Sequence, residues 1–163
     1  MHLGKSNGIS PYFPNKNNHE TEIEVLVMNV SFVKIHPNAV MPTYGSPCAA
    51  GADLYALAEE NIRIGAGETV FIRTGLALEI PEGFVGLIFA RSSMGTKRNL
   101  APANKVGVID SDYRGEIRVV LHNHGTTEQT VCPGERIAQL VIVPYLRAEF
   151  IESASLSETE RGE

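Results

Sequence analysis

Short apolar runs rich in β-branched and aromatic residues recur along the chain from Ile23 onward. Turn-forming residues such as Pro81-Glu82-Gly83 and Pro133-Gly134 separate them at a spacing of roughly ten residues. The runs are IEVLVMNVSFVKI, ETVFIRTGLALEI, FVGLIFA, VGVI, EIRVVLHNH, QTVC and RIAQLVIVPYL. Many short strands at this spacing predict an all-β sandwich, jelly roll or barrel, and the best candidate for a helix is a short piece after Arg91.

The same pattern divides the chain into three parts. Residues 1–22 are rich in Gly, Asn, Pro and charge without an apolar period, which predicts a flexible N-terminal extension. Residues 23–152 contain the predicted strands and are long enough for one well-buried core but not for two. Residues 153–163 (SASLSETERGE) lose the apolar pattern, and we expect a polar, mobile tail.

Charge and composition narrow the function. A net charge of -5 and a pI near 5.6 argue against binding to DNA or RNA, which requires a basic face. No apolar run approaches the roughly 18 residues that span a bilayer, and no signal peptide is seen, so we expect a soluble, cytoplasmic protein without membrane contact. Cys48 and Cys132 match no metal or redox spacing and favour buried free thiols over a disulfide.

Four polar clusters interrupt the predicted strands. They are AGADLYA (50–56), ARSSMG (90–95), NKVGVIDSDYRGE (104–116) and PGERIAQL (133–140). The third cluster lies between two strand signals, and its part from 107 to 116 predicts the tip of a β-hairpin. There, Asp110 and Asp112 either cap the turn or, at Asp110, serve as a general base. Tyr113 either packs on its own hairpin or stacks on a ligand.

The other clusters also leave alternatives open. Arg91, Ser92 and Ser93 either bind phosphate oxygens or form a helix cap with a surface arginine. Asp53, between small residues, is suited to a structural salt bridge or to a functional site, and Gln139 bonds either to the backbone or to a ligand. Lys97 and Arg98 are interpreted as solvated charges.

Taken in order, the four clusters resemble the first four of five motifs of the trimeric deoxyuridine triphosphatases (dUTP pyrophosphatases), from about Val30 to Glu163. The resemblance implies an all-β, jelly-roll-like subunit of the β-clip type, assembled as a homotrimer with three active sites at subunit interfaces. It further implies hydrolysis of dUTP to dUMP and pyrophosphate with Mg²⁺. In that family the magnesium is held by triphosphate oxygens and water, without a direct protein ligand.

The resemblance also assigns roles to residues. Asp110 matches the aspartate that activates the attacking water, and Tyr113 matches the aromatic residue that leaves no room for a 2′-hydroxyl. The segment that recognises uracil corresponds to Asn104, Gly107, Val108, Ile109 and Arg118. The phosphate-binding motif, usually supplied by a neighbouring subunit, corresponds to Arg91, Ser92 and Ser93. Gln139 matches the glutamine near the α-phosphate, and Asp53 matches an aspartate that supports the site and the metal-bound waters.

The family's fifth motif is a glycine-rich lid, of which this sequence shows the opening Arg161-Gly162. Arg161 would reach a γ-phosphate. Closure of the lid commits the substrate and excludes water, and this sequence shows only the opening of the lid motif. We therefore expect this chain to bind dUTP but to turn it over slowly. Two alternatives stay open: a dCTP deaminase, which shares the fold and an Arg-Ser-Ser motif but requires a glutamate base, and a non-catalytic nucleotide sensor or protein-binding module.

Overall fold

The computed structural model describes residues 27–161, so the predicted extension at residues 1–22 lies outside it. The described residues form twelve strands and one short helix. These are β1 (Ser31–Lys34), β2 (Thr43–Tyr44), β3 (Ala52–Tyr55), β4 (Ile62–Ile64), β5 (Thr69–Arg73), β6 (Leu76–Glu79), β7 (Phe84–Ala90), α1 (Ser92–Arg98), β8 (Leu100–Pro102), β9 (Gly107–Ile109), β10 (Arg118–Asn123), β11 (Gln129–Val131) and β12 (Arg136–Pro144). This confirms the all-β prediction and the single short helix after Arg91.

The strands form four sheets in which every neighbouring pair is antiparallel. The largest has the order β2-β3-β12-β7-β9, a second has the order β5-β10-β8, and two further pairs are β1-β6 and β11-β4. In β10 the side chains of Val119 and Leu121 point into the core while Arg118 points outward, as expected for a strand with one buried face. The core is aliphatic and includes Leu54, Ile72 and Ile137, each almost fully buried.

The run ETVFIRTGLALEI is two strands rather than one. The break falls at Gly75, which has φ +69° and approaches Ala39 so closely that a Cβ there would lie 2.8 Å from the alanine Cβ. Thr74 is buried and its Oγ1 donates to the Ile117 carbonyl at 2.6 Å. The chain therefore leaves β5 in the three-stranded sheet and enters β6, which pairs with β1.

The prediction of a hairpin at residues 107–116 is wrong. β9 pairs with β7 at the edge of the five-stranded sheet, whereas β10 lies between β5 and β8 in the three-stranded sheet. The two strands that flank the polar loop therefore belong to different sheets. Residues 110–117 form a crossover between sheets.

The prediction of buried cysteines is also wrong, although both thiols are free. Cys48 and Cys132 are exposed because each lies in a turn, the second directly after β11. The polar cluster AGADLYA contains strand β3, which pairs with β12. Within residues 27–161 no helix has the length and apolar character needed to cross a membrane.

Candidate active site

Asp53 is a buried carboxylate that accepts three side-chain donors. It is 2% exposed and lies opposite Gln139 in the register of β3 and β12. Its Oδ1 accepts from Arg91 Nε at 2.8 Å and from Gln139 Nε2 at 3.3 Å, while its Oδ2 accepts from Arg136 Nη1 at 3.1 Å. A buried charge is tolerated when it is paired and hydrogen-bonded in this way. The salt-bridge interpretation of Asp53 is therefore confirmed.

Sheet order explains why these residues meet. β12 lies between β3 and β7, so that Gln139 is flanked by Asp53 on one side and by the end of β7 on the other. Gly51 permits the close approach, since a Cβ there would lie 3.2 Å from Gln139 Cβ. Arg91 follows β7 directly, and its Nη1 donates to Ser93 Oγ at 3.2 Å. We call Asp53, Arg91, Ser93, Arg136 and Gln139 the Asp53 cluster.

Asp110 lies in a different environment. It follows β9, is exposed, and belongs to no ion pair among residues 27–161. The turn after it is closed by the main chain, since the Tyr113 N–H donates to the Asp110 carbonyl at 3.1 Å. Asp110 borders an open cleft of about 360 Å³, which we call the Asp110 cleft. The cleft is lined by Phe71, Val108, Ile109, Asp110, Tyr113, Glu116 and Arg118.

Tyr113 packs on its own loop and still presents its ring to the cleft. The Tyr113 hydroxyl donates to the Glu116 carbonyl at 3.1 Å, and the residue is 44% exposed. The ring crosses the backbone at Gly115, where a Cβ would collide with the tyrosine hydroxyl and lie 2.6 Å from Cζ. Packing of Tyr113 on its own loop and stacking on a ligand are therefore compatible, because packing on the loop holds the ring at the edge of the cleft.

Glu116 is a residue of the cleft that the sequence did not reveal. Its side chain is 6% exposed; Arg73 Nε donates to both carboxylate oxygens at 3.0 Å, and the Gly75 N–H donates at 2.9 Å. Arg118 lies 3.5 Å away. Burial raises the pKa of Glu116, but donation by Arg73 and Gly75 and the positive charges of Arg73 and Arg118 more than offset it, so its pKa lies below the ordinary value of 4.5. Glu116 thereby holds Arg118 at the cleft.

The Asp53 cluster and the Asp110 cleft are separate within one chain. Ile109, next to Asp110, pairs with Gly86 on β7, whereas Arg91 lies five positions further along the chain. At about 3.3 Å per residue that separation is roughly 17 Å, and Asp110 lies on the far side of Gly86. The structure thus forms two groups from the predicted site residues and does not join them.

The remaining predicted residues border these groups or lie apart from them. Ser92 is exposed at the start of α1, and Gly107 pairs with Ile88 at the start of β9. Asn104 is exposed near Gly107 and does not line the cleft. Arg161 is exposed at the end of the described residues and joins neither group. The structure places these four residues but gives none of them a side-chain partner in the Asp53 cluster or the Asp110 cleft.

Two arginines depart from expectation. Arg136 was not predicted as a site residue; its only sequence signal was its place in PGERIAQL, three positions before Gln139. Arg98, interpreted as solvated, is only 23% exposed in its side chain and donates to Gln129 Oε1 at 3.3 Å, to the Thr130 carbonyl and to the Glu135 carboxylate. The interpretation of Arg98 was wrong because its partners lie more than 30 positions away in sequence. Lys97 is exposed.

Comparison with known proteins identifies the family of this chain. The dUTPase family profile matches residues 37–163. The chain belongs to the dUTPase family. The deoxyuridine 5′-triphosphate nucleotidohydrolase of Desulfitobacterium hafniense (strain DSM 10664 / DCB-2) is 45% identical over 136 residues, which cover 83% of this chain and 90% of that protein. The enzyme of the same name from Pectobacterium carotovorum subsp. carotovorum (strain PC1) is 46% identical over 124 residues, 76% of this chain and 82% of that protein.

A solved dUTPase shares the fold. The dUTPase of Staphylococcus bacteriophage 80alpha, determined with dUPNHPP, superposes with a TM-score of 0.75 at 28% identity, covering 84% of this chain and 95% of that one. The family resemblance and the jelly-roll-like β-clip fold are thereby confirmed. dUTPases are metal-dependent enzymes.

Proposed function

We propose that this dUTPase family member is a dUTP diphosphatase, which hydrolyses dUTP to dUMP and pyrophosphate. The observation that carries the proposal is the contrast between two carboxylates at positions that match motifs of the family. Asp110 is open to solvent beside Tyr113 in a cleft, whereas Asp53 is buried and holds Arg91 and Arg136. The first is suited to accepting a proton, and the second is suited to fixing cationic phosphate donors.

In the proposed reaction a water oxygen attacks the α-phosphorus of dUTP. Asp110 accepts the proton of that water, the bond from the α-phosphorus to the bridging oxygen breaks, and its electron pair leaves with pyrophosphate. The ring of Tyr113 lies against the deoxyribose. A 2′-hydroxyl would meet this ring, which accounts for discrimination against UTP.

The position of β9 supports recognition of the base by the main chain. β9 pairs with β7 on one side and is the last strand of its sheet. An edge strand has N–H and C=O groups that no other strand of its sheet uses. Every other residue of β9 directs its N–H and C=O away from β7, so the segment Val108–Ile109 offers main-chain groups toward a uracil edge, next to the Asp110 cleft.

The phosphates are bound by Arg91, Ser92, Ser93 and Gln139, and the separation between the two groups supports a shared site. The roughly 17 Å between Gly86 and Arg91 along β7 exceeds the length of a triphosphate group. One dUTP molecule contacts both groups when the Asp53 cluster of one subunit faces the Asp110 cleft of another. We therefore propose a homotrimer with three shared sites.

Mg²⁺ is the proposed metal, and the donor set fits a metal that arrives with the nucleotide. Residues 27–161 contain no group of three or more His, Cys, Asp or Glu side chains arranged to hold a metal ion. Magnesium prefers oxygen ligands and keeps several waters, and a triphosphate supplies such oxygens. When bound, Mg²⁺ neutralises negative charge on the phosphates. Asp53, whose two oxygens already accept three donors, supports the site by holding Arg91.

Pyrophosphate release from dUTP, dTTP, dCTP and UTP, each with and without Mg²⁺, tests the proposed function. We expect release from dUTP alone, and only with the metal. Ammonia release from dCTP without pyrophosphate would instead favour the deaminase alternative. Nucleotide binding with no turnover of any of the four would favour a sensor.

The shared site has its own test in mixed oligomers. Asp110→Asn and Arg91→Ala should each be inactive alone. In trimers formed by co-expression of equal amounts of the two chains, a shared site is intact only when the Arg91→Ala chain supplies Asp110 and the Asp110→Asn chain supplies Arg91. With random mixing about a quarter of the sites meet this condition, so about a quarter of wild-type activity should return. A site built within one chain would give no recovery.

A further inference from the structure

The helix α1 is too short to hold its own orientation. It has seven residues, and its N-cap residue, Arg91, makes no side-chain cap hydrogen bond. A helix of about two turns is not stable without tertiary contacts. Ser92 and Ser93 form its first turn, and Arg91 precedes them, so the direction of α1 determines where these three donors point.

Arg98 connects the last turn of α1 to the segment that leads into β12. Its guanidinium donates to Gln129 Oε1 at 3.3 Å, to the Thr130 carbonyl and to the Glu135 carboxylate. It also contacts Met94 Sδ at 3.4 Å, and Met94 is buried in the core. We call Arg98, Gln129, Thr130 and Glu135 the Arg98 clamp.

Glu135 is fixed from its other side. Its second carboxylate oxygen accepts the Cys132 N–H at 2.9 Å. The Ala56 N–H donates to the Glu135 carbonyl at 2.8 Å, and the Gly134 N–H donates to the Ala56 carbonyl at 2.9 Å. Ala56 directly follows β3, the strand that carries Asp53. The clamp therefore ties α1 to the turn that is itself tied to the end of β3.

The next residue in the chain closes the connection. Arg136 follows Glu135 and donates to Asp53 Oδ2 at 3.1 Å, while Arg91 donates to Oδ1 at 2.8 Å. Arg91 and Arg98 bracket α1 at its two ends. The helix is thus held at its start by Asp53 and at its end by Glu135, and the two holding residues are linked through β3 and the turn at 132–135.

We propose that Arg98 is a positioning residue for the phosphate-binding side of the active site, acting through Glu135 to fix α1 and with it Arg91, Ser92 and Ser93. The proposal rests on the proposed function. It assigns Arg98 no contact with substrate. Loss of the clamp should weaken nucleotide binding more than the chemical step, because Asp110 lies in the other group.

The test replaces Arg98 with methionine, which keeps a long apolar stem and removes all donors. We expect the KM for dUTP to rise about tenfold and kcat to change less than about threefold, because uniform binding is lost when phosphate donors are misplaced. Arg98→Lys should give an intermediate KM, since an ammonium replaces the fork with a point charge. Arg63→Met is the matched control: Arg63 pairs with Glu128 at 3.9 Å and both side chains are exposed, so its KM should stay at the wild-type value.

Hydrogen exchange of the α1 amides gives a readout that does not depend on activity. In Arg98→Met, exchange over residues 92–98 should accelerate while exchange in β10 stays unchanged. If this variant fails to fold, Glu135→Gln is the second variant. It should also raise KM and accelerate α1 exchange, but by less than Arg98→Met. Unchanged α1 exchange, or a KM equal to that of Arg63→Met, would overturn the positioning role. Absence of dUTP hydrolysis by the wild-type chain would refute the proposed function alone, because the exchange experiment still tests the clamp.

Discussion

The Asp53 cluster and the Asp110 cleft place the same functional group, a carboxylate, in opposite surroundings. Asp53 is 2% exposed and accepts three side-chain donors, whereas Asp110 is exposed and forms no ion pair among the described residues. The Asp53 carboxylate thus anchors two guanidinium groups, from Arg91 and Arg136, whereas the Asp110 carboxylate anchors none among the described residues. The difference indicates that burial with partners is suited to holding cations, and exposure in a cleft is suited to proton transfer.

The two regions also differ in how they are held. The Asp53 cluster is built from β3, β12 and the segment that runs from the end of β7 into α1, so its donors are held in place before any ligand arrives. The Asp110 cleft lies on a crossover between two sheets and depends on Glu116, which joins Arg73 and Arg118. Variants that alter one region while sparing the other make the contrast measurable.

The largest effect is expected from Asp110→Asn. The amide cannot accept a proton from water, so kcat should fall by about 10²–10⁴-fold while the affinity for dUTP is retained. Single-turnover hydrolysis gives the rate, and calorimetric titration with a non-hydrolysable dUTP analogue gives the affinity. Asp112→Asn, an exposed carboxylate on the same loop, is the control and should keep kcat within about threefold. Equal losses in the two variants would remove Asp110 as the base.

Asp53→Asn should act on stability and binding together. Removing the charge leaves Arg91 partly buried without an ionic partner, which should lower the free energy of unfolding by about 3 kcal/mol and raise KM for dUTP. Denaturant unfolding and steady-state kinetics measure the two effects. Glu128→Gln removes a carboxylate from an exposed pair with Arg63 and should change stability by less than about 1 kcal/mol. A stable Asp53→Asn with normal KM would show that the cluster does not preorganise the donors.

Glu116→Gln should reveal a pH-dependent contribution from the cleft. The folded-state pKa of Glu116 lies below 4.5, so its carboxylate stabilises the fold fully above that pH, and the contribution is lost as pH falls through the folded-state pKa. At neutral pH the free energy of unfolding of the variant should be about 1.5 kcal/mol lower than that of the wild type. This is the low end of the range for hydrogen bonds to charged groups, because Arg73 is half-exposed. The difference between the unfolding free energies of the two proteins should narrow as the pH is lowered from 7 toward 3. A constant difference across this range would contradict the assigned cause.

Local patterns in the sequence predict most of the strands and the short helix, but not strands such as β3, which lies in a polar cluster. FVGLIFA, for example, is β7 from its first residue to its last. They do not predict which strands pair, and for that reason the prediction of a hairpin at 107–116 was wrong. An alternating run reports that one face is buried, but the partner of a strand depends on the packing of the entire core. β9 and β10 are close in sequence and belong to different sheets.

Local patterns also do not predict ion pairs between residues that are far apart in the sequence. Glu116 meets Arg73 and Arg98 meets Glu135 only because the sheets bring them together. Arg98 at the end of a polar stretch has the same local signature as its solvated neighbour Lys97. Asp53 was easier to interpret, because small residues on either side of it indicate crowding, and a crowded carboxylate requires partners.

The smallest effect is expected from Tyr113→Phe. The ring remains over Gly115, and the variant loses only the hydroxyl donation to the Glu116 carbonyl. One hydrogen bond at an exposed position is worth about 1 kcal/mol or less, so the preference for dUTP over UTP should fall by about fivefold or less. Competition assays with both nucleotides measure the preference. Tyr113→Ala removes the ring itself and should reduce the preference further, because the surface that meets a 2′-hydroxyl is gone. If the two variants lose the preference for dUTP to the same extent, the hydroxyl rather than the ring sets the sugar specificity.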